Sequence, residues 1–349
     1  MIEISYLESR RLSDPVYIDV RSPGEYAEDH IPGAHSVPLL DDEQRKIVGT
    51  LYREEGQDTA RARGLQLVLP DLDRKMARIR ELGADGSLVI YCWRGGMRSR
   101  SVAAYLEEQG VMARKLRGGY KEYRRLVVED LGTGLVFPPL FSLYGLTGTG
   151  KTDILDHLVR LGVPVLDLER YANHRGSAFG AVGLGDQPAQ KTFETRLHGD
   201  LLRVPSGRMA VVEGESRKIG KIHIPHRFFE HLKSARRILI YDTMDNRIRR
   251  ITREYTRKMD QDGLVRGVRA LEHRLGKALT AHLVEAIGQG DYEPVVRELL
   301  IRHYDPLYKH PDRPSGEYAA SVDGSDPQKA AETICNLINQ KEEDIFHGK

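Results

Sequence analysis

The run Gly145-Leu146-Thr147-Gly148-Thr149-Gly150-Lys151-Thr152 fits G-x4-G-K-S/T in full, and it constrains this chain more than any other stretch. The motif needs a strand before it and a helix after it. In that setting the glycines let successive backbone N–H groups wrap a phosphate. Phe141 to Tyr144 reads as the strand, and a helical stretch follows the loop. Lys151 supplies a point charge to a phosphate chain, and Thr152 offers a hydroxyl to Mg²⁺. Gly145, Thr147, Gly148, Thr149, Gly150, Lys151 and Thr152 are therefore the expected phosphate-binding set. A partner acid is expected at the end of a neighbouring strand. Glu213 and Glu215 are the first candidates, Asp167 and Glu169 the second, and the residue pattern leaves the choice among them open. The loop implies a di- or triphosphate ligand without saying which one, or that a phosphoryl group moves.

A chain of 349 residues has room for about two domains. Residues 141–349 read as the P-loop domain, with further strands at Val163–Leu168, Arg208–Val212 and Arg237–Tyr241. From Met244 to about Tyr308 the pattern turns helical and rich in arginine. Asp326 to Asn339 reads as a last amphipathic helix, with Ala330, Ile334, Leu337 and Ile338 on one side. Lys341 to Lys349 reads as a frayed polar end. Residues 132–140, with their glycines and paired prolines, read as a linker. Residues 1–131 form a separate alternation of strands and helices. Val16–Val20 and Ser87–Tyr91 are short apolar runs, Leu72, Met76, Ile79 and Leu82 recur at helical spacing, and Ser99 to Gly110 suits a helix with a glycine stop. Such alternation implies a parallel sheet.

Cys92 directly follows the strand ending at Tyr91, and Trp93-Arg94-Gly95-Gly96-Met97-Arg98-Ser99 lead into a helix. A helix N-terminus and two arginines, Arg94 and Arg98, favour a thiolate. The double glycine allows the backbone to curl into an anion cradle. Cys92, Arg94 and Arg98 are the candidate catalytic residues. Cys335 lies on the apolar side of the last helix and reads as packing.

Asn246 to Lys258 holds a cluster of arginines, of which Arg250, Arg253 and Arg257 share a helical face. Forked guanidinium donors suit phosphates. His174-Arg175-Gly176-Ser177-Ala178-Phe179-Gly180 reads as a basic loop, too polar and too flexible to be core. His174, Arg175, Arg250, Arg253 and Arg257 are the expected contacts to nucleic acid or a diphosphate. His303 to Tyr308, followed by Lys309 and His310, either stacks bases or packs a helix end. Phe179, Phe193, Phe228 and Phe229 are apolar positions that read as core or as walls of a pocket, with core packing expected for at least half of them.

The chain has 53 basic and 51 acidic side chains, which excludes indiscriminate coating of nucleic acid but not binding of one RNA, because the basic residues gather locally. Its two cysteines exclude a disulfide scaffold and suit reduced thiols in the cytoplasm. The 13 histidines show no metal-ligand spacing, so no dedicated metal site is expected. No apolar run approaches the ~20 residues that cross a bilayer, and the first residues lack the form of a signal peptide.

Three motifs in order resemble the rhodanese family over about residues 5–130: Asp19-Val20-Arg21-Ser22-Pro23-Gly24-Glu25-Tyr26 with His30-Ile31-Pro32-Gly33-Ala34, the Cys92 loop, and Leu116-Arg117-Gly118-Gly119-Tyr120. That resemblance implies a persulfide or selenosulfide on Cys92, with Asp19 and Arg21 bracing the fold. Arg98 stands six positions after Cys92, where many single-domain rhodaneses place an arginine five after it. Cys-x5-Arg is the spacing of cysteine phosphatases, whose wider loop fits a tetrahedral phosphorus compound such as selenophosphate. A rhodanese domain followed by a P-loop, together with His174-Arg175-Gly176-Ser177 and Tyr304-Asp305-Pro306, resembles the tRNA 2-selenouridine synthases. The fold class implied is α/β: a rhodanese-like parallel-sheet domain, then a P-loop NTPase-like α/β domain with a helical C-terminal region. The family implies S-geranylation of wobble 2-thiouridine by geranyl diphosphate, then replacement of the geranyl-thiol group by selenium from selenophosphate. tRNA is then the partner, an enzyme supplying selenophosphate is a second candidate partner, no cofactor is tightly bound, and no membrane is involved. Two alternatives stand beside this reading. One is a cysteine phosphatase fused to a P-loop small-molecule kinase, and the other is a non-catalytic chalcogen-relay and tRNA-binding module.

Overall fold

The computed structural model describes residues 1–177, 179–258 and 260–346, without the side chains of residues 255, 257, 258 and 344–346. The chain divides into two compact units, Met1–Gly134 with Glu194–Arg196, and Leu135–Phe193 with Leu197–Lys349. Each is built on one parallel sheet of five strands, as the strand–helix alternation requires.

The first unit holds β1 (Ile2–Ile4), β2 (Pro15–Asp19), β3 (His35–Ser36), β4 (Ser87–Tyr91) and β5 (Ala113–Leu116) in the order β1-β5-β4-β2-β3. The second holds β6 (Leu140–Tyr144), β7 (Val165–Leu166), β8 (Ala210–Glu213), β11 (Arg236–Tyr241) and β12 (Ala320–Asp323) in the order β12-β11-β6-β8-β7. A small antiparallel hairpin, β9 (Lys218–Ile219) and β10 (Ile222–His223), follows β8. The apolar runs of β4 and β6 are buried almost throughout. That is why each takes the middle of its sheet, where helices cover both faces. Both candidate loops therefore leave the C-terminal end of a central strand, the usual place for ligands in open α/β sheets.

Several strands escaped the sequence pattern. β1 pairs with β5, and β12 pairs with β11. Each is short and carries a charged residue, so its identity comes from a partner far along the chain. The strand expected over Val163–Leu168 is only β7, because Asp167 ends it by capping the helix Leu168–Ala172, its Oδ1 accepting from the Arg170 N–H at 2.8 Å. Asp167 is thus a helix-start acid. The helices Asp42–Glu54 and Gln57–Val68 lie between β3 and β4, ahead of the expected one at Leu72–Leu82.

Two further expectations need correction. The last helix runs over Pro327–Phe346, and Glu342 within the supposedly frayed end is buried, accepting from the Met209 N–H at 2.8 Å and from Arg208. The loop from His174 is anchored in the core. Phe179 is 1% exposed and packs with Ile248, Ile251, Leu264 and Tyr304 in a cluster built by the helices of residues 244–308.

Candidate functional site

In the first unit, Cys92 follows β4 and is buried, its Sγ 3.2 Å from Ser99 Oγ. The loop closes on the third of the sequence motifs. The Tyr120 N–H donates to the Cys92 carbonyl and the Lys121 N–H to the Trp93 carbonyl, both at 2.9 Å. Gly119 makes this approach possible: its φ is +59°, and a Cβ there would fall 2.2 Å from the Cys92 carbonyl oxygen. The first motif meets the same point. Arg21, fully buried, donates to both Asp19 carboxylate oxygens at 2.6–3.0 Å and stacks 4.0 Å above the Tyr120 ring. Asp19 and Arg21 hold the Tyr120 segment, and that segment holds the loop.

The two loop arginines separate. Arg94 is exposed. Arg98, expected to add charge beside the thiol, instead donates to Glu25 Oε2 at 2.8 Å, with both side chains mostly buried. Burial raises the Glu25 carboxyl, and Arg98, with the Ser22 N–H and the charge of Arg45, more than offsets this, leaving it below its ordinary range. Glu25 also accepts from the Ser22 N–H at 3.0 Å, so Arg98 ties the cysteine loop's helix to the start of the helix Pro23–Glu28.

In the second unit the phosphate loop joins β6 to the helix Lys151–Arg160. It opens on a cavity of about 1080 Å³ lined by Gly145, Thr147, Gly148, Gly150, Lys151 and Thr152. Thr149 is the exception, with its hydroxyl buried and donating to the Leu146 carbonyl at 3.0 Å. Lys151 Nζ donates to the carbonyls of Gly145 at 2.9 Å and Leu146 at 3.3 Å.

The arginine helix Met244–Lys258 braces this loop. Arg247 donates from Nε to the Thr147 carbonyl at 2.8 Å and from its fork to both Asp305 oxygens at 2.5 and 3.0 Å. Arg250 donates to the Gly148 carbonyl, to Asp242 Oδ2 at 2.9 Å and to the Gly324 carbonyl at 2.9 Å. A trans peptide points its C=O and N–H in opposite directions. Pinning the carbonyls of residues 147 and 148 therefore turns the next two amides away from the arginines. Arg250, expected to meet a substrate, lines the cavity and spends donors on the protein as well. Arg175 does the same, pairing with Glu254 at 2.5 Å and donating to the Val182 carbonyl at 2.9 Å. Arg253 is exposed and lines the cavity, as does Arg249, which was not singled out. The side chain of Arg257 lies outside the described residues.

His174, Glu169, Glu213 and Glu215 also line the cavity. Burial raises the carboxyls of Glu169 and Glu213 well above their ordinary range, and repulsion among neighbouring acids adds to it. Burial likewise raises Glu215 and Asp167. Burial lowers the Lys151 ammonium, against the pull of Glu169, Glu215 and Glu213. Glu215 lies close enough to Glu169 for its charge to add to the rise of that carboxyl. The loop of residues 174–177 roofs them. Gly176 sits at φ +63°, and a Cβ there would lie 2.8 Å from Glu215 Oε1 and 2.9 Å from Glu169 Oε1. Glu213 Oε1 and His174 Nδ1 are buried without a hydrogen-bond partner. Among the described residues no group of three or more acids, histidines or cysteines forms a metal cage.

Sequence reading missed Glu25, Asp242 and the role of Asp305. Asp242 carried one signal, an acid directly after a strand. Tyr304 and His303 are buried, which settles them as packing, whereas Tyr308 and His310 line the cavity. Phe193 and Phe228 are core residues, and only Phe179 of the four phenylalanines touches the cavity.

A family model described as the tRNA 2-selenouridine synthase AAA domain matches residues 138–333, and one described as a rhodanese-like domain matches residues 5–126. The tRNA 2-selenouridine synthase of Shewanella sp. (strain ANA-3) is 34% identical over 325 residues, covering 84% of this chain and 87% of that protein. That of Pseudomonas entomophila (strain L48) is 33% identical over 332 residues, covering 86% and 88%. That of Pseudomonas syringae pv. tomato is 37% identical over 248 residues, covering 70% and 66%.

Proposed function

The chain belongs to the tRNA 2-selenouridine synthase family, and we propose that it acts as a transferase on tRNA, replacing the sulfur of wobble 2-thiouridine with selenium in two steps. In the first, the thione sulfur bonds to the allylic carbon of geranyl diphosphate as the C–O bond breaks and diphosphate leaves. In the second, the selenium of selenophosphate bonds to C2, the geranyl-thiol group departs with a proton, and water takes the phosphoryl group as the P–Se bond breaks, releasing phosphate. Direct loss of sulfide from C2 is poor chemistry, and alkylation turns it into a better leaving thiol.

The observation that carries this reading is the complete phosphate loop opening on its own large cavity, in a chain whose other sheet presents a single buried cysteine at the matching strand end. The loop amides and Lys151 suit the charge that builds on a departing diphosphate. Arg249 and Arg253 are placed to share it. Oxygen donors at the loop, the Thr152 hydroxyl and the unpartnered Glu213 Oε1, suit a hard cation completed by phosphate and water. Mg²⁺ held there would neutralise diphosphate charge.

Cys92 is the residue to hold or guide the selenium. The pairing of Arg98 with Glu25 supports a chalcogen carrier over a phosphatase, whose loop arginine must face the phosphate. tRNA contact through basic side chains should weaken steeply with salt. Mass spectrometry of thiolated tRNA incubated with geranyl diphosphate and selenophosphate, each omitted in turn, tests the proposal. Geranylated tRNA is expected without selenophosphate, and selenated tRNA only with both. Selenation at full rate without geranyl diphosphate would overturn the two-step order.

A further inference from the structure

The phosphate chemistry leaves two aromatic rings of the cavity unexplained. The short helix Asp305–Tyr308 ends at Lys309, which sits at φ +53°. That is the left-handed region a residue with a side chain rarely adopts, and such strain gathers at functional sites. In a continuing helix, residues two apart face different sides. The turn at Lys309 instead brings Tyr308 and His310 together, their ring centroids 6.3 Å apart and their planes within 25°. Both line the cavity with Lys151, Glu169 and Glu215.

The pair is built in layers. His310 is fixed from behind: its Nδ1 is 3.0 Å from the Tyr318 hydroxyl, and its ring meets Tyr144 edge-on at 5.4 Å. Tyr308 lies outermost and is 40% exposed, whereas Tyr304 of the same segment is buried against Phe179. The acids lie close to the Tyr308 phenol. Burial, with the charges of Glu215 and Glu169, pushes it up to about 12. Phe179, a third ring at the cavity, is too buried to offer a face. A cavity of about 1080 Å³ has room for a flat group beside a diphosphate.

We propose that Tyr308, backed by His310, is a stacking platform for a nucleobase, and that the base is the tRNA pyrimidine whose sulfur is exchanged. This rests on the function proposed above. The reaction requires sulfur to lie ~3–3.5 Å from the carbon that bears the diphosphate, so the base must lie beside the phosphate loop. Tyr308 is the exposed ring at that place. Stacking accepts any base by its π face. The Glu169–Glu215 pair adds an acceptor for the N–H on a pyrimidine edge.

The test uses the full chain and three probes measured separately: an anticodon stem-loop RNA carrying 2-thiouridine, inorganic pyrophosphate and ATP. Tyr308→Ala and Tyr308→Leu are expected to weaken stem-loop binding about tenfold or more, as loss of one base stack implies. Tyr308→Phe should restore it, and pyrophosphate affinity should not follow these changes. Stem-loop affinity within twofold of wild type in Tyr308→Ala overturns the platform. So does an equal loss for pyrophosphate, which would mark a collapsed cavity, or a loss confined to ATP, which would assign the ring to a free nucleotide. A wild-type protein that ignores the thiolated stem-loop sinks the tRNA reading as well as the platform. A tRNA-active wild type with an unaffected Tyr308→Ala sinks the platform alone.

Discussion

The cysteine loop and the phosphate loop leave the middle strand of their sheets alike, yet they place charge in opposite ways. Around Cys92 the charges are spent on the scaffold: Arg21 on Asp19 and Arg98 on Glu25. The sulfur is left beside a neutral hydroxyl. Around the phosphate loop, Lys151 is half-buried among carboxylates that burial pushes toward protonation. Two arginines pull on the loop's carbonyls from behind. A loop proposed to guide selenide needs a shielded side chain. A loop that grips an anion needs oriented amides and a charge ready to be released. Difference in chemistry shows as difference in where the ion pairs close.

The sharpest way to break this division is to delete each loop's functional atom. Cys92→Ser should reduce selenium incorporation to background while geranylated tRNA still accumulates. Lys151→Ala should abolish geranylation. Nucleoside mass spectrometry reads both, and normal selenation by Cys92→Ser would end the division of labour.

Next in size is the brace behind the phosphate loop. Arg247 is buried, so Arg247→Ala strands Asp305 and should cost about 3–5 kcal/mol in denaturant unfolding. Arg247→Met with Asp305→Leu should recover much of that stability but not pyrophosphate affinity, because the Thr147 carbonyl still lacks its donor. Recovery of both would make the pair a packing element only.

A smaller effect is expected at Gly176, whose left-handed φ alone makes alanine cost about 1–2 kcal/mol. The new methyl would also press on Glu169 and Glu215, so pyrophosphate binding should fall with stability. Calorimetry on Gly176→Ala reads both, and unchanged affinity would remove the roof from the site.

The smallest effect has a definite sign. Burial raises Glu169, so its contribution to stability is present below the unfolded value of about 4.3 and is lost as pH rises through the higher folded value. Glu169→Gln removes that loss. Its melting midpoint should exceed that of wild type at pH 7, and the gap should close toward pH 4. A gap that widens on acidification would show that Glu169 is stabilised as a charge.

Both loops were legible because each is contiguous, with its strand, its glycines and its helix in one short run. The bracing was not. Arg247 and Asp305 are 58 positions apart, and Arg98 and Glu25 are 73 apart. A helical face of arginines looks the same whether it meets solvent, RNA or a neighbouring carbonyl. β1, β5 and β12 escaped for the same reason, since short strands take their identity from a distant partner. The loop at His174 misled in the other direction: its polar residues read as too flexible for the core, yet Phe179 anchors it there.

By itself, then, the sequence determined that the chain has two α/β units, a cysteine and a phosphate loop at strand ends, and motifs of one family. Local backbone geometry suffices for each of those. Only tertiary structure decided which arginines are consumed by buried carboxylates and carbonyls, which acids crowd Lys151, and which aromatic rings stay open. Burial and charge pairing depend on what the fold brings within a few ångströms, and no local pattern encodes that.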